Sequence, residues 1–280
     1  MNRPIHYPEA DHDTQWFGDV FPGATMPRID KLLLHTTEGS DWPGYKGGKV
    51  APTLTYHPAK HKWRQHFRIN QSSRALADPN LTAVRENRDN VVQVEIVCSC
   101  DPEMVKKFGL LDVRNLDDRA LRDLGEFAAW LHTEWDLPLV LTPDWLPFPQ
   151  SFGTTKVRMT GPEYDAFMGI LGHQHAPAGK GDDRGNEHGD PGALDVHSIL
   201  KFALSAVGGG RDMSVMATEE DEDVKLTDVV GFEIDQKTGK KVPITLETFV
   251  GRMNWVYRQL LEEGKVDSQL DRIEEAVKHH

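Results

Sequence analysis

The sequence predicts an α/β fold in which helices cover a central sheet. Two short apolar runs, residues 30–35 (Asp-Lys-Leu-Leu-Leu-His) and 91–97 (Val-Val-Gln-Val-Glu-Ile-Val), have the length and composition of central, buried strands. From Asp117 to Trp135, Leu121, Leu124, Phe127, Ala128, Leu131 and Trp135 recur at spacings of three and four. That period places them on one stripe of a helix lying on the sheet.

The remaining elements follow in order. Residues 62–69 (Lys-Trp-Arg-Gln-His-Phe-Arg-Ile) alternate polar and apolar, as a strand with one wet face does, and a hairpin with 53–57 is expected. After the helix comes Leu137-Pro-Leu-Val-Leu-Thr-Pro-Asp-Trp-Leu-Pro-Phe-Pro, whose prolines preclude regular helix. Loops of this length are commonly functional. Residues 194–206 read as a further helix and run into Gly208-Gly-Gly, which sets a first domain at 1–208. Residues 209–242 contain Glu219-Glu-Asp-Glu-Asp and read as an acidic linker. Residues 243–280 read as a helical C-terminal region of unknown role. Its first helix carries Leu246, Phe249, Val250, Met253, Val256, Tyr257, Leu260 and Leu261 on one face and ends at Gly264, and a second is expected at 267–278. Self-association through the first of these is an expectation.

Composition narrows the function. A net charge of −12 disfavours nucleic acid, whose phosphates call for clustered Lys and Arg. No stretch approaches the roughly 20 apolar residues that a membrane-spanning helix needs, so no membrane insertion is expected. The first residues, Met-Asn-Arg-Pro-Ile-His-Tyr-Pro-Glu, lack the basic start and apolar core of a signal peptide. Cys98 and Cys100 are expected as free thiols, because no second cysteine pair completes a metal site around them.

The chemistry-bearing residues are histidine and aspartate. Gly172-His173-Gln-His175-Ala-Pro and His188-Gly-Asp190-Pro-Gly supply imidazole and carboxylate, ligand types suited to Zn²⁺. A catalytic zinc takes three protein ligands and leaves one position open, and His35, at the end of Leu32-Leu-Leu, is the candidate from elsewhere in the chain. Asp190-Pro-Gly also reads as a tight turn. Glu95 interrupts an apolar strand, and either serves as a base beside the metal or faces solvent with Gln93. His188 either coordinates or donates to a developing oxyanion, and the second role fits a site with three ligands in place. His175 fits a supporting role, since a fourth protein ligand would close the site. A second metal site at His57, His61 and His66 lacks a carboxylate or thiol at ligand spacing.

Taken together, Leu-Leu-Leu-His35-Thr-Thr-Glu-Gly, Trp63-Arg-Gln-His-Phe, Val-Gln-Val-Glu95-Ile and Gly-His173-Gln-His-Ala-Pro followed by His188-Gly-Asp190-Pro-Gly resemble the type 2 N-acetylmuramoyl-L-alanine amidase and peptidoglycan recognition protein superfamily. The similarity is greatest to phage endolysins directed at actinobacterial cell walls, and it spans about residues 28–205 in order. The resemblance implies a central mixed sheet flanked by helices, a zinc amidase domain at 1–208, and peptidoglycan muramyl peptide as substrate. It makes His35, His173 and Asp190 the zinc ligands and Glu95 the residue that helps activate water. His188 stands where relatives often carry a lysine that stabilises the tetrahedral intermediate, so activity is expected to fall at alkaline pH. Thr53 stands where related endolysins often have histidine. Thr36, Trp42, His66 and His175 are expected as substrate contacts. The same fold also serves non-catalytic recognition of peptidoglycan, and a zinc peptidase that cuts within the stem peptide is a third reading, differing in which bond breaks. A phage enzyme of this kind would be made in the host cytoplasm and reach the wall after release by a holin.

Overall fold

The two apolar runs form inner strands of a six-stranded mixed sheet, flanked by helices. A computed structural model describes residues 3–21, 23–76, 90–177 and 188–208, with the backbone of 229–234 and 241–245. In chain order the main elements are β1 (Ala10–Asp11), β2 (Lys31–Thr36), a distorted turn α1 (Tyr45–Gly48), β3 (Leu54–His57), β4 (Lys62–Gln65) and β5 (Val91–Ile96). There follow α2 (Pro102–Phe108), α3 (Asp118–Trp135), α4 (Gly161–Ala166), β6 (Gly169–Gly172) and α5 (Val196–Gly208). The sheet order is β1-β4-β3-β5-β2-β6, with β3 and β4 antiparallel and the other neighbours parallel. The expected hairpin is present, with Leu54 opposite Gln65 and His57 opposite Lys62. Its second strand stops at Gln65 rather than continuing to residue 69, because His66 and Phe67 turn inward and are fully buried.

Helix α3 starts where Asp117 accepts a hydrogen bond from the Ala120 N–H at 2.7 Å, and it ends on Asp136 in the left-handed conformation. All six apolar residues of its stripe are buried. They pack on the sheet face made by Leu32, Leu34, Leu54, Val92, Val94 and Ile96, and α5 completes this layer. At Gly125 the two helices approach so closely that a β-carbon would lie 2.6 Å from Phe202 Cβ and 2.7 Å from Ile199 O.

Register decides what the opposite face carries. Alternation puts Leu33 and His35 of β2 together, and they pair with Gln93 and Glu95 of β5. Glu95 pairs onward with Thr55 of β3, and Thr55 with Arg64 of β4. One end of this face is apolar, where Leu33, Val91 and Leu171 pack under Tyr164 and Phe167. Towards the carboxyl ends of β2 and β5 it turns polar, with Arg64, Thr55, Glu95 and His35 in a row. That polar end is where the site forms.

The chain divides into two compact units, residues 1–213 and 214–280. In the second, β7 (Val229–Ile234) pairs antiparallel with β8 (Lys241–Thr245), so strands stand in the stretch expected to be a linker. The acidic run before residue 224 masked the strand-forming Val-Val-Gly-Phe-Glu-Ile that follows it. The helices expected at 246–261 and 267–278 lie outside the described residues. Cys98 and Cys100 are free thiols, both buried. Among the described residues no helix is long and apolar enough to cross a membrane.

Candidate metal centre

Three buried side chains from distant parts of the chain converge at the carboxyl end of β2. His35 is carried by β2 itself. His173 follows β6, the strand beside it, in a single 3-10 turn. Asp190 arrives on a loop whose position depends on Gly172, where a β-carbon would lie 2.5 Å from Pro191 Cδ. Gln174 fastens that loop, its backbone N–H donating to Asp190 O at 2.9 Å and its side-chain amide to Gly192 O at 3.3 Å.

The ligand atoms have the spacing of a metal site. His35 Nδ1 lies 3.1 Å from His173 Nδ1 and 3.4 Å from Asp190 Oδ2, and His173 Nδ1 lies 3.1 Å from Asp190 Oδ1. A tetrahedral zinc with bonds of about 2.0–2.1 Å holds its ligands about 3.3 Å apart. The donor set, two imidazoles and one carboxylate, also suits zinc and leaves a fourth position. Among the described residues this is the group whose His and carboxylate atoms converge in this way.

Electrostatics favour a cation here. Burial alone would raise the Asp190 carboxyl, but the neighbouring His173 and His35 hold it well below the usual carboxylate range. Burial pushes His173 down to about 4, so its lone pair is free at neutral pH. Burial also pushes His35 down, yet the hydrogen bond to Asp190 and the charges of Glu95 and Asp190 reverse it, and the net direction is upward.

Two residues that sequence reasoning did not assign hold the ligands in place. Gln93 Oε1 lies 3.1 Å from His35 Nε2. Protonation at Nε2 satisfies that contact and turns the Nδ1 lone pair towards the centre. Alternation along the strand had put Gln93 on the Glu95 face, which was the available signal. Arg158 donates to His173 O at 3.3 Å, Ala176 O at 2.6 Å and His188 O at 3.0 Å, clasping both ligand segments. No local pattern marked it. We expect Gln93→Leu to weaken zinc binding about 10–100-fold, measured by competition with a chromogenic chelator, with the fold retained.

The proposed reaction groups stand nearby. Glu95 is the strand neighbour of His35, and its Oε2 is buried without a hydrogen-bond partner among the described residues. Burial raises its carboxyl to about 8, with Asp190 and Glu38 adding to the rise and His35 opposing it. His188 is exposed, and its ring stacks on His173 at 5.2 Å between centroids with 14° between planes. Both therefore border the centre, Glu95 from the sheet and His188 from the outer side.

The expected substrate contacts divide. Trp42 is half-buried over the polar face, with the Arg64 guanidinium 4.1 Å from its ring and the His57 ring at 5.2 Å. It keeps surface for a ligand. Thr36 is buried and internally engaged: its N–H donates to Asp190 Oδ2 at 3.2 Å and its hydroxyl to Glu38 Oε1 at 2.6 Å. Both of these groups are thus engaged within the chain, one of them on Asp190. His66 and His175 are each buried with both ring nitrogens engaged within the chain. His66 meets Thr55 Oγ1 and Gln15 O, both at 2.9 Å. His175 meets the Gly172 N–H at 2.9 Å and Asp144 O at 2.7 Å, tying the Pro-rich loop to β6. Burial pushes both imidazoles to about 4, so they stay neutral. Thr53, the departure from related endolysins, is buried, and its hydroxyl accepts the Gln93 N–H at 3.1 Å. His57, His61 and His66 do not converge: His61 faces Asp123 and Asp117, while His57 approaches Asp41.

Comparison with known proteins adds little to this geometry. No protein-family model matches the chain, and no curated protein matches it. Among solved structures, a mutant structure of PlyL is similar at 10% identity and a TM-score of 0.34, covering 73% of this chain and 99% of that one. A likeness that remote assigns no family, and the α/β architecture and the His35, His173, Asp190 cluster stand on the chain's own structure.

Proposed function

We propose that the chain is a zinc-dependent amidase that hydrolyses the bond between N-acetylmuramic acid and L-alanine in peptidoglycan. The observation that carries the reading is the convergence of His35, His173 and Asp190 at separations of 3.1–3.4 Å, beside Glu95, whose buried Oε2 has no hydrogen-bond partner among the described residues. The sequence motifs supply the bond. When bound, zinc supplies Lewis acidity towards water and the scissile carbonyl.

The chain's own residues perform the proton transfers. Glu95, which the charge of a bound zinc would keep ionised, accepts a proton at Oε2 from the attacking water and returns it to the departing alanine nitrogen. His188, on the open side of the centre, donates a ring N–H to the oxygen that gains charge as the carbonyl becomes tetrahedral. Gln93 keeps His35 in one tautomer. Trp42 offers a flat apolar wall for the substrate along the polar sheet face. The products are a free lactyl carboxylate and a free amino terminus on L-alanine.

Incubation of the zinc-loaded protein with purified actinobacterial sacculi tests this directly. New L-alanine amino termini, detected by dinitrophenylation and mass analysis, are the expected result. Cleavage within the stem peptide would assign a peptidase instead, and zinc binding without any new terminus would assign a recognition module.

A further inference from the structure

A cavity of about 360 Å³ opens on the helical side of the sheet, away from the metal centre. Its walls are aromatic: Tyr7, Trp63 and Trp130 line it. Trp63 pairs with Tyr56 in the hairpin and so projects from the face opposite the row that carries Glu95 and His35. Tyr7 binds these walls together, its ring 5.5 Å from Trp63 and 5.2 Å from Trp130 between centroids.

Of the six other lining residues three are acidic. Asp123, Glu126 and Trp130 project from α3 at helical spacing, and Glu9 comes from the N-terminal segment opposite. Burial raises the Tyr7 hydroxyl, and the charges of Glu9, Glu126 and Asp123 add to the rise. All three carboxylates therefore bear on one aromatic patch. Asp123 is engaged by the Tyr56 hydroxyl at 2.6 Å and approached by His61 at 3.4 Å. Glu9 and Glu126 show no such engagement among the described residues. Arg119 is the opposing charge in the lining, which also includes His61.

We propose that this cavity is an accessory binding site for a primary alkylammonium, the chemical group at the end of a lysine side chain. The ammonium brings three N–H donors and a positive charge to the carboxylates, while its methylene stem lies against the rings. Neither half of the lining suits the alternatives. A carboxylate or phosphate ligand would meet two or three negative charges, and an uncharged apolar ligand would strip water from those carboxylates without recompense. The metal centre takes no part, and the inference stands whatever bond the enzyme cuts.

The test uses the full chain, with n-butylammonium as probe and 1-pentanol as its neutral counterpart. The indole N–H resonance of Trp130 is followed by NMR and binding heat by calorimetry. Saturable binding of n-butylammonium is expected, with 1-pentanol at least about tenfold weaker, since the charge is what the site reads. The combined Glu9→Gln and Glu126→Gln variant should weaken the probe by about tenfold or more while leaving zinc content and wall hydrolysis unchanged. Asp123 is spared because it anchors Tyr56. Nα-acetyl-lysine methylamide is the second arm: its binding assigns the source to a lysine-type side chain, and its exclusion while n-butylammonium binds assigns it to free amines. Equal binding of pentanol, an unmoved Trp130 resonance, or full affinity in the double variant would overturn the proposal.

Discussion

Asp190→Asn should purify with zinc reduced from about one ion per chain to almost none, and hydrolysis should fall by about three orders of magnitude or more. The substitution keeps the size of the side chain and an oxygen able to accept the Thr36 N–H, which Asp190 Oδ2 receives at 3.2 Å. What it removes is the negative charge. Two imidazoles would remain, their Nδ1 atoms 3.1 Å apart, with no ligand charge to balance a dication in a buried site. His35 would also lose the hydrogen bond and charge that reverse the effect of burial on its imidazole. Elemental analysis and a wall-hydrolysis assay read the two effects, and circular dichroism checks that the fold survives. Full zinc occupancy in this variant would show that the ion is held elsewhere.

Glu95→Gln should change activity and stability in opposite directions. Loss of a general base costs about 10²–10⁴ in rate, with zinc occupancy unchanged because Glu95 is not a ligand in the proposed set. Stability moves the other way. The Glu95 carboxyl is raised from 4.5 to about 8 in the folded chain, chiefly by burial. Between those values the folded state keeps a proton that the unfolded chain has released, so stability falls as pH rises through the window. The penalty is absent below about pH 4.5 and complete above about pH 8, where it amounts to a few kcal/mol after allowance for partial exposure of the residue. Glutamine never ionises and avoids it. Zinc-free Glu95→Gln should therefore unfold at higher temperature than the zinc-free parent at pH 8, and at the same temperature at pH 4.5. Undiminished hydrolysis by the variant would remove Glu95 from the reaction, and equal melting at pH 8 would show that its carboxyl is solvated.

Much of the fold was legible because its period is local. The Leu-Leu-Leu and Val-Val-Gln-Val-Glu-Ile-Val runs became β2 and β5, and the three-four stripe became the buried face of α3. β1 and β6 were not anticipated. The first is two residues long, and the second, Gly-Ile-Leu-Gly, has too little side chain to show a period. The histidines of the site were legible as residue types suited to zinc, but type does not assign a role. His66 and His175 resemble His173 as letters, and differ because the fold gives both their nitrogens partners.

The sequence by itself determined the α/β class, the inner strands, the covering helix and the ligand chemistry, because hydrophobic period and side-chain identity are properties of short segments. Tertiary structure alone decided that His35 meets a histidine 138 residues away, that Gln93 is its hydrogen-bond partner, and that an acidic aromatic cavity opens on the other face. Those outcomes depend on strand order and register. A shift of one residue in β5 against β2 would move Glu95 and Gln93 to the opposite face, and no short stretch of sequence records that pairing.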